Sequence, residues 1–284
     1  MHNEIGGEAV NHFSISCGGI EFSHAKNEDA PENLNTNHCH GSYEILYVIE
    51  GSGCFVVEGN EYPMRPGSLL ITRPYQYHFV NVQREKPYER FVIHFDLEVL
   101  PESLRCLFAD AKQRPGEECT YFSAGTVPGA VLSTLSRFDV VSTLSDEKKA
   151  LFLPLLVAEV IVLLSDASGE RETVYSDGLG ARVIRYLNDH IEQNISLDDI
   201  AKHFFVSKYY LCRAFKKHNG ISIHGYVTHK RVMLAKLLIE SGESASGAAY
   251  RVGFGDYSAF YRAYVKILGV SPVSGRGERR EHGE

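Results

Sequence analysis

An N-terminal antiparallel β-barrel followed by an all-α domain is the expected architecture, and three observations point to it. The 284 residues exceed what one hydrophobic core usually serves. Short β-rich runs fill the chain from about Tyr43 to Phe95, whereas after residue 178 apolar residues recur at helical spacing. Charge divides in the same way: 16 of 29 basic but only 10 of 36 acidic residues lie from Gly178 onward, so that part carries plus 6 and the first 177 residues minus 13. The overall net charge of minus 7 would argue against a nucleic-acid partner, but the split assigns polyanion binding to one half alone.

In the first half the runs YEILYVIEG, CFVVEG, SLLITRP, YHFVNV and ERFVIHF lie between Tyr43 and Phe95 and are separated by Gly, Pro or Asn turns. Strands of this length and spacing predict a barrel or sandwich, assigned to residues 1–100. Residues 101–165 lose the alternation. There Val131, Leu135 and Phe138, then Leu156, Val160 and Leu163, repeat at helical spacing, which predicts two helices packed on the barrel or on a second subunit and suits dimerisation. The polar, Gly-containing stretch at 166–177 reads as a linker, 178–276 as the helical domain and 277–284 as a tail.

Composition excludes several classes. With 44% apolar residues the chain is not disordered, and six cysteines without a C-x-x-C pair suit reduced thiols of a cytoplasmic protein. The first residues lack the basic start and apolar core of a signal peptide, and the apolar run Leu151–Leu164 is too short for a bilayer, so no membrane partner is expected. Signatures of phosphate-binding loops, nucleophile elbows and zinc proteases are absent, so the expectation is not an enzyme.

Helix starts are legible in the second half. Ser196 precedes LDDIAKHF with Asp199 three residues on, and Ile195 and Ile200 occupy the positions of a hydrophobic staple. Three turn residues lead to Ser207, a second N-cap with Val206 and Leu211 as its staple, which makes a helix-turn-helix. The pattern recurs 49 residues later, Ser207-KYYLCRAFKKHNGIS against Asp256-YSAFYRAYVKILGVS, with Leu211 on Phe260, Arg213 on Arg262, Phe215 on Tyr264 and Gly220 on Gly269. Leu211, Ala214 and Phe215 share an apolar stripe, which leaves Lys208, Tyr209, Cys212, Arg213 and Lys216 on the outward face. The connecting YVTHKRVMLAKLLIESG reads as one amphipathic helix that would set the two second helices into major grooves about one turn, ~34 Å, apart. The implied partner is double-stranded promoter DNA, with base readout and phosphate contact both open for the arginines.

These residues resemble the AraC family of bacterial transcription regulators over Gly178–Arg276, in the S-x-x-x-L-x-R-x-F pattern at Ser207–Phe215, in RVMLAKLL at Arg231–Leu238, in VGFGDYSAFYR at Val252–Arg262 and in GVSP at Gly269–Pro272. The resemblance implies DNA contacts from Tyr209, Cys212 and Arg213 in the first motif and from Tyr257, Ser258, Tyr261 and Arg262 in the second. It also implies an activator of carbohydrate or small-molecule utilisation, which would act as a homodimer and touch RNA polymerase. Two positions depart from the family. Phe205 stands at a turn position that is usually Gly, and Ala245, Gly247 and Ala248 thin out the helix before Gly253, so the second motif is expected to be the less stable.

In the first half, HCHGSYEILYVIEG places His38, His40 and Glu44 at even spacing, which on an extended strand puts all three on one side; His78 follows from a later run. The set resembles the cupin signature, although Glu32 and Gln76 stand where that signature has Gly. The expectation is a cupin-like effector pocket formed by His38, His40, Glu44 and His78 with Tyr43, Tyr75 and Tyr77, suited to a sugar or another polar small molecule and needing no cofactor. The alternative makes His38, His40, Glu44 and His78 metal ligands, since metal-bearing cupins hold iron, manganese or a related ion on such a set. Two contrasting functions stay open: a metal-dependent cupin enzyme with a DNA-binding tail, and a constitutive DNA-binding dimer.

Overall fold

The computed structural model describes residues 11–28, 37–83, 86–106, 119–165, 167 and 178–272. The chain forms two compact units, residues 1–176 and 177–284. Glu32, the tail at 277–284 and the linker assigned to 166–177, Ala167 excepted, lie outside the described residues.

The first unit opens with β1 (Asn11–Cys17) and β2 (Ile20–Asn27), followed by β3 (Tyr43–Glu50), β4 (Gly53–Val57), β5 (Asn60–Met64), β6 (Leu69–Thr72), β7 (His78–Val82) and β8 (Tyr88–Phe95). A short helix α1 (Glu102–Arg105), strand β9 (Thr120–Phe122) and the helices α2 (Gly129–Val141) and α3 (Asp146–Ser165) complete it. All pairings between these strands are antiparallel and give two sheets, β1-β2-β8-β3-β6-β9 and β5-β4-β7, with no ladder among the described residues that closes them into a barrel. Alternation along a strand shows which face is buried; it does not show which edges meet. The β1–β2 hairpin, unforeseen in the sequence reading, turns on Gly18 and Gly19 at φ 58° and 78°, the positive values that a two-residue turn between twisted strands needs.

Each face of the larger sheet has its own core. Ile45 and Tyr47 of β3 and Phe91, Ile93 and Phe95 of β8 point one way, against Val131, Leu135 and Phe138 of α2 and Leu156, Val157 and Val160 of α3. Phe22 stacks on Phe138 at 4.6 Å between ring centroids, and burial of a ring this size contributes ~1.5–3 kcal/mol over exposure. The two helices thus pack on the sheet of their own chain. Leu46 and Val48, one residue out of phase, point the other way with Leu70 and Tyr88, and meet Phe55, Val57, Tyr62, Met64 and Val82 of the smaller sheet in a second core between the sheets. His24 joins α2 to the sheet, its ring lying 3.1 Å from Asp139 and 2.9 Å from Glu89.

The second unit is helical: α4 (Leu179–Asp189), α5 (Leu197–His203), α6 (Lys208–Asn219), α7 (Ile223–Glu240), α8 (Ala245–Arg251) and α9 (Tyr257–Leu268). The connecting segment is one 18-residue helix, α7, about 27 Å long. Its apolar side, Tyr226, Val232, Met233 and Ala235, is buried. Gly180 lets α4 press onto α6, because a Cβ there would stand 2.6 Å from His218. Arg231 acts as a clamp. Its Nε donates to the Ile191 carbonyl at 2.9 Å, Nη2 to Gln193 at 2.7 Å and Nη1 to Gly253 at 2.7 Å, so one guanidinium ties the loop after α4 to the turn after α8.

Candidate functional site

The two helix-turn-helix units are α5–α6 and α8–α9. Ser196 caps α5 by accepting from the Asp199 amide while the Asp199 carboxylate accepts in return, a complete capping box. Ser207 caps α6 and Asp256 caps α9, each through its side chain, worth ~1 kcal/mol apiece. Gly220 and Gly269 end the two helices at φ 69° and 73°. Ser244 caps α8, the helix with Gly247 in its first turn, through the Gly247 amide at 3.0 Å.

Both first helices stop on the same device. The Phe205 amide donates to Lys202 and the Val206 amide to Ala201, matched by Gly253 to Tyr250 and Phe254 to Ala249. Phe205 therefore stands where Gly253 stands, 48 residues apart, and the second turn carries one additional residue, Gly255, which restores the 49-residue offset of α6 and α9. Phe205 holds φ at 54° with its side chain 95% exposed, so it takes up the strained conformation and buries nothing in return. The left-handed region costs a non-glycine residue ~1–2 kcal/mol, more than the extra chain entropy of glycine. Phe205→Gly is accordingly expected to raise stability by ~0.5–1 kcal/mol, read from the urea midpoint of the helical unit.

Leu211 and Phe215 of α6 and Phe260 and Tyr264 of α9 are buried, which turns the opposite faces outward. Lys208, Tyr209, Arg213 and Lys216 on α6, and Ser258, Tyr261 and Arg262 on α9, are exposed; Cys212 and Tyr257 are half-buried. Lys208 is shared with α5, its Nζ lying 3.0 Å from Asp198. Tyr210, at 56% exposure beside Tyr209, escaped the sequence reading because its position in the helix borders the apolar stripe.

In the first unit, His40, Glu44 and His78 meet together with His94, which the sequence reading missed. Glu44 lies on the inner face of β3 at the end of the intersheet core, His94 is its registered partner on β8, and His78 begins β7. Nε2 of His40, His78 and His94 lie 2.9, 3.2 and 3.0 Å from one atom, Oε2 of Glu44. His38, an exposed residue, contributes a ligand atom within 4.8 Å of those of His40, Glu44 and His78. His38, His40 and Glu44 do not share one extended strand, since β3 starts only at Tyr43: His38 pairs with His78 in an isolated bridge, and bends at Gly41 and Ser42 bring His40 back onto Glu44.

One tyrosine assigned to the pocket sits elsewhere. Tyr43 neighbours Glu44 along an extended strand and so points to the opposite face, where it stacks on Phe95 at 5.5 Å. Tyr77 is buried just before β7 starts, and its hydroxyl meets Cys39, the residue between His38 and His40. Tyr75 stands at φ 65°, its amide donating to the His40 carbonyl at 2.7 Å.

Charge in the cluster is mutually sustained. Burial pushes the Glu44 carboxyl up, but the charge of His78 and the hydrogen bonds from His40, His78 and His94 hold it well below the usual carboxylate range. Burial also disfavours charge on His78 and His94, yet Glu44 raises both above the ordinary imidazole value. None of the six cysteines is in a disulfide, and burial pushes the Cys54 thiol up to about 11, against redox reactivity there.

A helical unit with two capped, outward-facing helix-turn-helix motifs, joined in one chain to a two-sheet unit with a polar cluster in its interior, defines a ligand-binding and DNA-binding transcription regulator. The Helix-turn-helix domain model matches residues 200–277 and the AraC-like ligand binding domain model residues 26–134, and the chain belongs to the AraC family. Among its relatives, the HTH-type transcriptional activator RhaS of Klebsiella pneumoniae is 26% identical over 248 residues, 85% of this chain and 87% of the relative. The uncharacterized HTH-type transcriptional regulator YbfI of Bacillus subtilis is 29% identical over 234 residues, 78% and 80% of the two chains. The solved C-terminal domain of AraT, a response regulator from Geobacillus stearothermophilus, is 29% identical over 39% of this chain and 98% of its own, with a TM-score of 0.35. Among the described residues no helix is long and apolar enough to cross a membrane.

Proposed function

We propose that this chain is a cytoplasmic, non-enzymatic activator that grips promoter DNA through the outward faces of α6 and α9 and answers to a polar small molecule, such as a sugar, bound at His40, Glu44, His78 and His94. The observation that carries this reading is the duplicated arginine: Arg213 and Arg262 occupy the same place on two equally capped helices, both exposed, and neither is engaged in an ion pair among the described residues. Lys208, Tyr209, Cys212 and Lys216, with Tyr257, Ser258 and Tyr261, complete the DNA contact surface, and RNA polymerase would meet the bound chain elsewhere on its surface. Activation is supported by the name of the RhaS relative. The pocket supports effector coupling because a ligand shifts an equilibrium only by binding two states unequally, and a buried charged cluster responds strongly to a polar guest. The test is binding of the full chain to the DNA upstream of its own gene, with salt varied: affinity must fall with a slope of several per decade of salt, and a flat response would remove the reading.

A homodimer is part of the proposal, with α3 as its surface. Leu151, Leu155 and Val162 of α3 are 68%, 63% and 46% exposed, and with Ala158 they follow the four-three-four spacing of a coiled-coil seam. Leu155→Glu is expected to weaken self-association at least ~10-fold in sedimentation equilibrium, since it sets a charge in an apolar seam. A wild-type chain that stays monomeric at tens of micromolar would remove α3 from this role.

A further inference from the structure

We propose that Phe205, in the turn between α5 and α6, is a specificity-determining residue whose ring rests on the C5-methyl group of a thymine at the edge of the major groove. The proposal depends on α6 as a DNA-contacting helix and deepens that reading by one residue and one base.

Phe205 works against the stability of its own turn. It holds φ at 54°, which a side chain with a Cβ adopts only under strain, and its ring lies almost wholly in water. The turn already has an aromatic anchor. Phe204 packs on Tyr186 and His203, with ring centroids 5.6 and 4.8 Å away, and the Arg182 guanidinium lies 5.3 Å from the centre of its ring. Packing thus accounts for the first phenylalanine and leaves the second unexplained. In the other motif the same place is Gly253, so the α8–α9 turn has no counterpart to the ring. A backbone outlier that nothing in the fold offsets points to a contact outside the fold.

Position and charge name the occupant. Phe205 stands two residues before Ser207, the N-cap of α6, and in a helix-turn-helix the first residues of the second helix are those that reach base edges. Tyr209 and Tyr210 continue the exposed aromatic surface into α6. The surroundings are cationic. Residues 202–217 include Lys202, Lys208, Arg213, Lys216 and Lys217 and no acidic residue, whereas the matching residues 251–266 hold Arg251, Arg262 and Lys266 together with Asp256. A stretch charged in this way attracts a polyanion, and does so more strongly in the motif that carries the ring. The ring has neither donor nor acceptor, so it cannot read the hydrogen-bonding pattern of a base pair. Thymine alone among the four bases offers an apolar group, its C5-methyl, in the major groove.

The experiment measures binding of the full chain, by fluorescence anisotropy, to two forms of the DNA upstream of its own gene. One is natural; the other carries uracil at every thymine position, which removes the C5-methyl groups and keeps the base pairing. Phe205→Gly and Phe205→Asn remove the ring in favour of residues that accept a left-handed turn, and circular dichroism checks the fold of each. On natural DNA both variants are expected to bind at least ~4-fold more weakly than the parent, the factor that burial of one methyl-sized group carries. On uracil DNA the gap between parent and variants is expected to shrink below ~2-fold, because the partner of the ring is gone. The urea midpoint of Phe205→Gly moves the opposite way, upward, so the weaker binding is not a weaker fold. Variants that bind natural DNA as tightly as the parent would overturn the proposal, as would an equal gap on both duplexes, which places the ring on the sugar-phosphate backbone. Unchanged DNA affinity with a loss of transcription by added RNA polymerase gives the ring to that protein and overturns it as well. A parent chain whose binding to both duplexes is flat in salt ends the regulator reading itself, and the proposal with it.

Discussion

Arg213→Ala is expected to weaken promoter binding by ~1–3 kcal/mol, one to two decades in affinity, with the helical unit still folded. The fold survives because Arg213 projects from the exposed face of α6, opposite Leu211 and Phe215. Fluorescence anisotropy over a potassium chloride series separates its two roles. An arginine on a base edge loses affinity for the operator and little for random duplex, whereas one on phosphate loses both alike and makes the salt slope shallower by about one. Arg262→Ala should act in the same direction from α9. Two variants that bind as tightly as the parent would detach α6 and α9 from DNA altogether.

Gly253→Ala is expected to destabilise the helical unit by ~2–4 kcal/mol, the largest effect on stability foreseen here. Gly253 sits at φ 93°, and a Cβ there would lie 2.8 Å from the Glu192 carbonyl oxygen and 2.9 Å from the Arg231 guanidinium. Neither neighbour can yield cheaply, because one is backbone and the other is held by three carbonyls. The contrast with Phe205 is the informative part. The same left-handed position in the first motif is open to solvent and tolerates a ring, so a glycine gained there and a glycine lost at 253 should shift urea midpoints in opposite directions. Equal shifts in one direction would mean that the Arg231 clamp does not hold the turn.

Local signals in this chain were readable from the residues alone. Ser196, Ser207, Asp256, Gly220 and Gly269 act within a few residues of their own position, and each sits in the structure as the cap or stop that its chemistry implies. The helices α2 and α3 were equally legible from their apolar period. What failed depended on partners distant in sequence. His94 stands 50 residues from Glu44 and joins it only through strand register, which no periodicity in ERFVIHF discloses. Tyr43 was drawn to the pocket by proximity along the chain, yet next-door residues of a strand face apart. The Gly18–Gly19 turn was a usable signal for the first hairpin, since paired glycines between two alternating runs mark this kind of turn.

The helix α7 runs unbroken for 18 residues, and Arg231 fixes it to the turn of the second motif. With α6 and α9 as the proposed DNA-contacting helices, the two resemble the jaws of a caliper locked at one opening. Their targets have to recur in step with the pitch of the duplex. Half a pitch inserted between those targets would carry one of them round to the far side, where only a costly distortion of the DNA could bring it back.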